Sequence, residues 1–206
     1  MKRRKKLLII FFVAIGPIYL GYCFLYSTIF SKKFSVTPGN NFEIGDKVDS
    51  LNNVYVYYNG RIGHTGDRNV SEDGYNIGLT YQCVEFVKRY YYEYYDHKMP
   101  DPYGNAKDFF DSAIADGKLN GKRNLMQFTN PSKSKPKTGD LIIFDGHAGN
   151  AYGHVAIISK VDDDEIEIIQ QNPGPSGPSR AKFSLSRDEG KFKVGHERAL
   201  GWLRMK

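Results

Sequence analysis

Cysteine is scarce in this 206-residue chain, with two copies, Cys23 and Cys83. There is no Cys-x-x-Cys pair and no His-x-x-x-His pair, so the usual zinc-binding spacings are missing. Cys23 lies inside an apolar run, which leaves Cys83 without a disulfide partner in its own chain. Acid is missing from residues 1–33, which hold seven Lys or Arg; the remainder has 22 of the 29 basic residues against all 23 acidic ones. The formal charge of +6 therefore belongs to the N-terminal segment. A nearly neutral remainder lacks the basic face that nucleic-acid binding requires. Internal repeats and long linkers are also absent.

Charge is missing again from Leu7 to Phe30, "LLIIFFVAIGPIYLGYCFLYSTIF". At ~1.5 Å per residue this run is long enough to cross a hydrocarbon core. Basic "MKRRKK" before it predicts an N-terminus inside and the rest of the chain outside the cytoplasmic membrane. A cleaved signal peptide would have an apolar core of about 7 to 15 residues and a small-x-small end, which "LYSTIFSKK" does not offer. Tyr22 is too bulky for a lipoprotein cleavage site before Cys23. The expected organisation is a single-pass anchor over residues 1–33, a polar tether over 34–49 and one domain over 50–206.

Within that domain, "NVYVYYNG" alternates like a strand entering a turn at Asn59-Gly60. "RIGHTGDRNVSEDGYNIG" has no apolar period and reads as a loop leading to Cys83. "TYQCVEFVKRYYYEYY", from Thr80, reads as a helix capped by Thr80. Its apolar face is Cys83, Val87, Tyr90 and Tyr94, with Glu85 and Lys88 pointing elsewhere. "NAKDFFDSAIADG" predicts a second helix between Asn105 and Gly117. Strands follow at 139–145, 154–159, 165–172 and 200–205. Helices followed by a run of strands imply an α+β fold with an antiparallel sheet.

Cys83 in the first turn of a helix is where unpaired N–H groups favour a thiolate, the more so beside a protonated histidine; the same position also suits a buried structural cysteine. His154, in "YGHVAIIS", enters an apolar strand and is the candidate base, held at the sheet's edge. His147, in the "DGHAGNAYG" loop, is the runner-up, while His64, His97 and His196 read as loop or surface residues. If "HVAIIS" and "EIEIIQQN" form a hairpin across "KVDDD", Gln170 and Asn172 come near His154 on one face and Gln171 points away. An amide oxygen there can fix the imidazole tautomer. A zinc site built from Cys83, His154, His147 and Asp145 is the metal alternative.

"YQCVEFVKRYY", "KTGDLIIFD", "YGHVAIIS", "IIQQN" and "LGWLRM", in this order, resemble a CHAP domain, the cysteine, histidine-dependent amidohydrolase/peptidase group with a papain-like fold. The likeness extends over roughly residues 50–206 and includes the amidase domain of glutathionylspermidine synthetase/amidase. It implies Cys83 as nucleophile and His154 as base, with a thiolate–imidazolium pair and no cofactor. It also implies a third residue that is ordinarily a carboxylate followed two positions later by Asn; here these are Gln170 and Asn172. The backbone N–H of Cys83 would help form an oxyanion hole, with a second donor around Tyr81 or Gln82. Outside a bacterial membrane, the expected substrate is an amide in peptidoglycan stem peptides. A polyamine amide of the glutathionylspermidine type and a catalytically silent wall-binding module are the alternatives.

Overall fold

The computed structural model describes residues 42–60, 63–174 and 177–206. The expected anchor over residues 1–33 lies outside the described residues. Among the described residues no helix is long and apolar enough to cross a membrane.

A compact unit begins at Phe42. β1 (Lys47–Leu51) pairs antiparallel with β2 (Val54–Tyr57), so the end of the expected tether is a strand. β3 (Arg68–Val70) and β4 (Asn76–Leu79) form a second two-stranded pair where the sequence reads as loop. Their apolar alternation is weak because side chains and close approach to the following helix hold them. Asn69 Nδ2 donates to Glu85 Oε1 at 2.9 Å. Gly78, at φ +142°, lies where a Cβ would meet Glu85 Cα at 3.0 Å.

The helix, α1, runs Cys83–Tyr95. It starts later than the Thr80 cap predicts: Gln82 is the N-cap residue, and the Thr80 hydroxyl instead donates to the Asp67 carbonyl at 2.9 Å. Its buried face is Phe86, Val87, Tyr90 and Tyr91, whereas Tyr94 is about half exposed. Glu85 and Lys88 are buried as well, so the helix is covered on more sides than its apolar period indicates. Each is accommodated by partners: Glu85 by Arg89 and Asn69, and Lys88 by the carbonyls of Asn76 and Pro102 to which its Nζ donates.

The predicted second helix is one 3-10 turn, Ala106–Phe109. Chain-distant hydrogen bonds outcompete it. Phe110 turns extended, and the Gln127 amide takes both the Asp111 N–H (3.0 Å) and the Asp111 carbonyl (2.8 Å), groups that a continuing helix would have used internally.

The remaining strands are β5 (Lys118–Asn120), β6 (Leu125–Thr129), β7 (Leu141–Phe144), β8 (His154–Val161), β9 (Glu165–Ile169), β10 (Arg180–Asp188), β11 (Lys191–Val194) and β12 (Ala199–Arg204). They form one antiparallel eight-stranded sheet in the order β11-β10-β9-β8-β7-β12-β6-β5. The α+β fold expected from the sequence is present, with the sheet packed on the helix bearing Cys83. Both faces of the central strands are covered, which is why "LIIF" is an uninterrupted apolar run rather than an alternation. Ile143, Val155, Ile157 and Ile169 meet Phe86, Val87 and Tyr90 on the helix side. Ile142, Ala156, Ile158 and Trp202 join Leu185 and Val194 on the other. The β11 edge is protected: Phe192 exchanges backbone hydrogen bonds with Ser132, and Asn130 Nδ2 donates to the Val194 carbonyl at 3.1 Å.

Candidate active site

Three separate pieces of chain meet at a cleft of about 1130 Å³. Cys83, first residue of α1, lines it together with His154 at the head of β8 and Gln170 just past the end of β9.

His154 is placed by the glycine before it. Gly153 has φ +76°, and a Cβ there would meet the Phe144 carbonyl oxygen at 2.5 Å, so only glycine lets the chain enter β8 against β7. Asn150 Nδ2 donates to the Gly153 carbonyl at 2.9 Å and closes the preceding loop. Gln170 reaches the imidazole across the β8–β9 pair, with Oε1 2.9 Å from His154 Nε2. The Gln170 amide cannot be turned round: its Nε2 donates to the Pro178 carbonyl at 3.0 Å, leaving Oε1 toward the ring. Nε2 of His154 must therefore carry the proton, and Nδ1 keeps the lone pair.

The sulfur sits against the N–H groups of Val155, Val84 and Cys83 itself, all of which favour its anion. Burial is the larger effect and pushes the Cys83 thiol up. Burial also depresses His154 to about 4, and the charge of Arg198 acts in the same direction, while the Gln170 hydrogen bond opposes both. Both shifts favour a neutral thiol and a neutral imidazole over the expected thiolate–imidazolium pair. The helix end and the hydrogen bonds favour charge, but they do not repay the loss of water around two half-buried groups.

Asn172 does not reach the imidazole. At φ +54° it leaves the strand alternation, and its Nδ2 donates 2.8 Å to Gln82 Oε1. Gln82 Nε2 in turn donates to the His64 carbonyl at 2.6 Å, so the side chain preceding Cys83 is held at both ends. His64 lines the cleft, as do His147 and His196. His147 is exposed, and its Nδ1 accepts from the Gly149 N–H at 3.1 Å within its own loop. His97, expected at the surface, is buried with Nε2 2.9 Å from the Arg123 carbonyl. Among the described residues no group of three or more His, Cys, Asp and Glu is placed to hold a metal ion.

The part that sequence reasoning missed is Gln171. It points to the opposite face from Gln170, as expected, but ends in a buried network rather than in an idle position. Its Oε1 accepts the Tyr57 N–H at 2.8 Å, and its Nε2 donates to Glu85 Oε2 at 2.8 Å and to the Gln82 carbonyl at 3.1 Å. Glu85 also accepts from Arg89 Nε at 2.6 Å, and Arg89 Nη2 donates to the Tyr55 carbonyl at 2.9 Å. The first turn of α1, and with it Cys83, is thereby fastened to β2. A parallel connection runs from β1: Asp49 accepts from Ser179 Oγ at 2.7 Å and from Arg180 Nε at 3.0 Å, next to the Pro178 that orients Gln170.

The cysteine at the helix start, the histidine at the strand start and the amide on its far nitrogen all lie within residues 71–172, the stretch that matches the family model of the CHAP domain. Those residues are a CHAP domain. The matched segment contains Cys83, His154, Gln170 and Asn172. CHAP domains form a hydrolase family of amidases and peptidases. Trypanothione synthetase from Crithidia fasciculata is 31% identical over 108 residues, 52% of this chain and 16% of that protein. The bifunctional glutathionylspermidine synthetase/amidase of Escherichia coli (strain K12) is 33% identical over 116 residues, 53% of this chain and 18% of that protein. The chain thus spans less than a fifth of the length of these relatives. The crystal structure of Ly7917 aligns with 37% of this chain and 30% of that one at 26% identity, with a TM-score of 0.27.

Proposed function

We propose that this protein is a cysteine amidase/endopeptidase that hydrolyses amide bonds in peptidoglycan stem peptides, with its CHAP domain outside the cytoplasmic membrane and residues 1–33 as anchor. The observation that carries the catalytic part is the His154–Gln170 hydrogen bond, which leaves Nδ1 unprotonated in the cleft that Cys83 lines. The location draws on the basic segment before an uncharged run at Leu7–Phe30.

The reaction starts from neutral groups. As Sγ of Cys83 attacks the amide carbonyl, Nδ1 of His154 takes the thiol proton, so charge separation develops with bond formation. The oxyanion is met by the N–H of Cys83. Gln170 Oε1 accepts from the imidazolium and keeps its ring in place, with a dipole where the family resemblance puts a carboxylate. The imidazolium then returns the proton to the leaving nitrogen as the C–N bond breaks, so the amine departs and the acyl group stays on Cys83 Sγ as a thioester. His154 next takes a proton from water as that water attacks the thioester, and the carboxylic acid leaves with the thiol restored.

The test is incubation of the full chain with purified sacculi and assay of newly exposed amino groups. The expected result is release by the native protein and none by Cys83→Ala. Intact sacculi together with cleavage of glutathionylspermidine would move the substrate to the polyamine amides, whose enzymes are among the relatives. Bound but uncleaved sacculi would make the protein a wall-binding module.

A further inference from the structure

The cleft is short of negative charge. Its charged lining comprises Arg68, Arg198 and a single carboxylate, Asp145, besides histidines. The two arginines differ in their surroundings. Arg68 is exposed, and its Nη1 donates to Asn76 Oδ1 at 2.9 Å. Arg198 is half-buried, its Nε is removed from water, and that nitrogen has no hydrogen-bond partner among the described residues.

Other half-buried or buried arginines here have partners for their guanidinium groups, although Arg123 shares with Arg198 a buried Nε that has none among the described residues. Arg89 pairs with Glu85, Arg180 with Asp49 and Glu167, and Arg204 with Asp140, while Arg123 donates to the carbonyls of Asp101 and Asp108. Asp145 does not serve Arg198 in this way. Its N–H donates to the Arg198 carbonyl at 2.8 Å, but its Oδ1 accepts from the N–H of Gly146 at 2.7 Å. Those backbone bonds, with the Arg198 N–H donating to His196 Nδ1 at 3.1 Å, hold the residue at the entry to β12. A partly desolvated guanidinium on a fixed backbone, with no counter-ion, is suited to bidentate capture of a carboxylate.

We propose that Arg198 is the specificity residue of this cleft and takes a free carboxylate of the peptide substrate beside the amide that Cys83 attacks. This rests on the amide-cleaving reading of the cleft. Arg198 lines the same cleft as His154 and His196, and its charge acts on both. The carboxylate's arrival has a chemical consequence. Burial first, and the Arg198 charge as a smaller addition, disfavour a protonated His154 in the empty cleft, and a bound carboxylate offsets the second of these. A substrate with the right carboxylate thus helps create the imidazolium that must protonate its own leaving group, and one lacking it does not.

Two measurements separate this proposal from the function on which it rests. The first uses L-Ala-γ-D-Glu-L-Lys muropeptides that differ only in a free α-carboxylate or an α-carboxamide on the D-Glu. The native chain should favour the carboxylate by about tenfold in kcat/KM, the worth of one charge-assisted hydrogen bond. Arg198→Leu should level the two, and Arg198→Lys should restore part of the difference. Equal turnover of both by the native chain, or a loss in Arg198→Leu that is the same for both, overturns the proposal.

The second needs no substrate. The iodoacetate-to-iodoacetamide rate ratio at Cys83, read by mass spectrometry on its peptide and referred to free cysteine, should be raised severalfold. It should fall in Arg198→Leu but not in Arg187→Leu, which removes the same charge from an exposed position on β10. A ratio indifferent to Arg198 overturns the anion site even if muropeptides are cleaved. The expected ratio with neither muropeptide cleaved keeps the anion site and removes the stem-peptide reading.

Discussion

At the scale of single residues, the site's chemistry is set by burial more than by the helix end. Cys83 has three backbone N–H groups around its sulfur and still titrates above an ordinary thiol. Alkylation of Cys83 by iodoacetamide, followed on its own peptide, should therefore climb only in the alkaline range. A plateau reaching down to about pH 6, the mark of an acidified thiolate, would show that the ion pair forms after all. His154 supplies a second test with a defined sign. Its folded value of about 4 lies below the ordinary value of 6.5, so between those limits the unfolded chain binds a proton that the folded chain does not. Stability should fall as pH drops from 6.5 to about 4, and this slope should be shallower in His154→Gln by urea denaturation. Cys83, His154 and Gln170 were legible in the sequence because each follows from a local pattern: a helix start, a strand start and a break in an apolar strand. Their protonation states were not legible, since desolvation depends on what the rest of the chain stacks over them.

At the scale of elements, two adjacent glutamines at the end of β9 divide the work. Gln170 faces the imidazole, and Gln171 faces the helix and ties its first turn to β2. Gln170→Ala should lower turnover by about tenfold or more, within the ~10²–10⁴ that general acid–base catalysis contributes, with little change in Tm. Gln171→Ala leaves a Tyr57 N–H and a Glu85 oxygen without their partner, at a cost of roughly 1–3 kcal/mol per buried group. It should lower Tm clearly and lose activity along with it. If thermal melting is unchanged in Gln171→Ala, the network does not hold the helix. Alternation over "EIEIIQQ" gave the opposed directions of these two side chains but not their partners. The missed hairpin of β3 and β4 and the truncated second helix have the same origin. In both, side chains far along the chain, Glu85 and Gln127, satisfy backbone or polar groups that a local reading assigns to neighbours.

At the scale of the whole molecule, an ammonium without an acidic partner lies in the interior. Lys88 is buried, has no acidic partner among the hydrogen bonds it makes and is brought down to about 7, by burial first and then by the charges of Arg123 and Arg68. Below that value the folded protein bears the full cost of a buried ammonium. Between about 7 and the ordinary 10.5 the unfolded chain holds a proton that the folded chain has released, so this group's contribution improves as pH rises. Stability of the native chain relative to Lys88→Met should therefore increase from pH 7 to about 9.5; parallel urea curves across that range would remove Lys88 as the cause. The connections from β1 and β2 also have a mechanical meaning. A pull on the chain at Phe42 is felt first by β1, and Asp49 passes it to Ser179 and Arg180, beside the carbonyl that steadies Gln170. Tyr57 passes the load from β2 through Gln171 to the first turn of α1. Tension at the N-terminal side thus arrives at the imidazole's support, at the first residue of β10 and at the nucleophile's helix, so a stretched molecule would lose its alignment for catalysis while most of its fold was still intact.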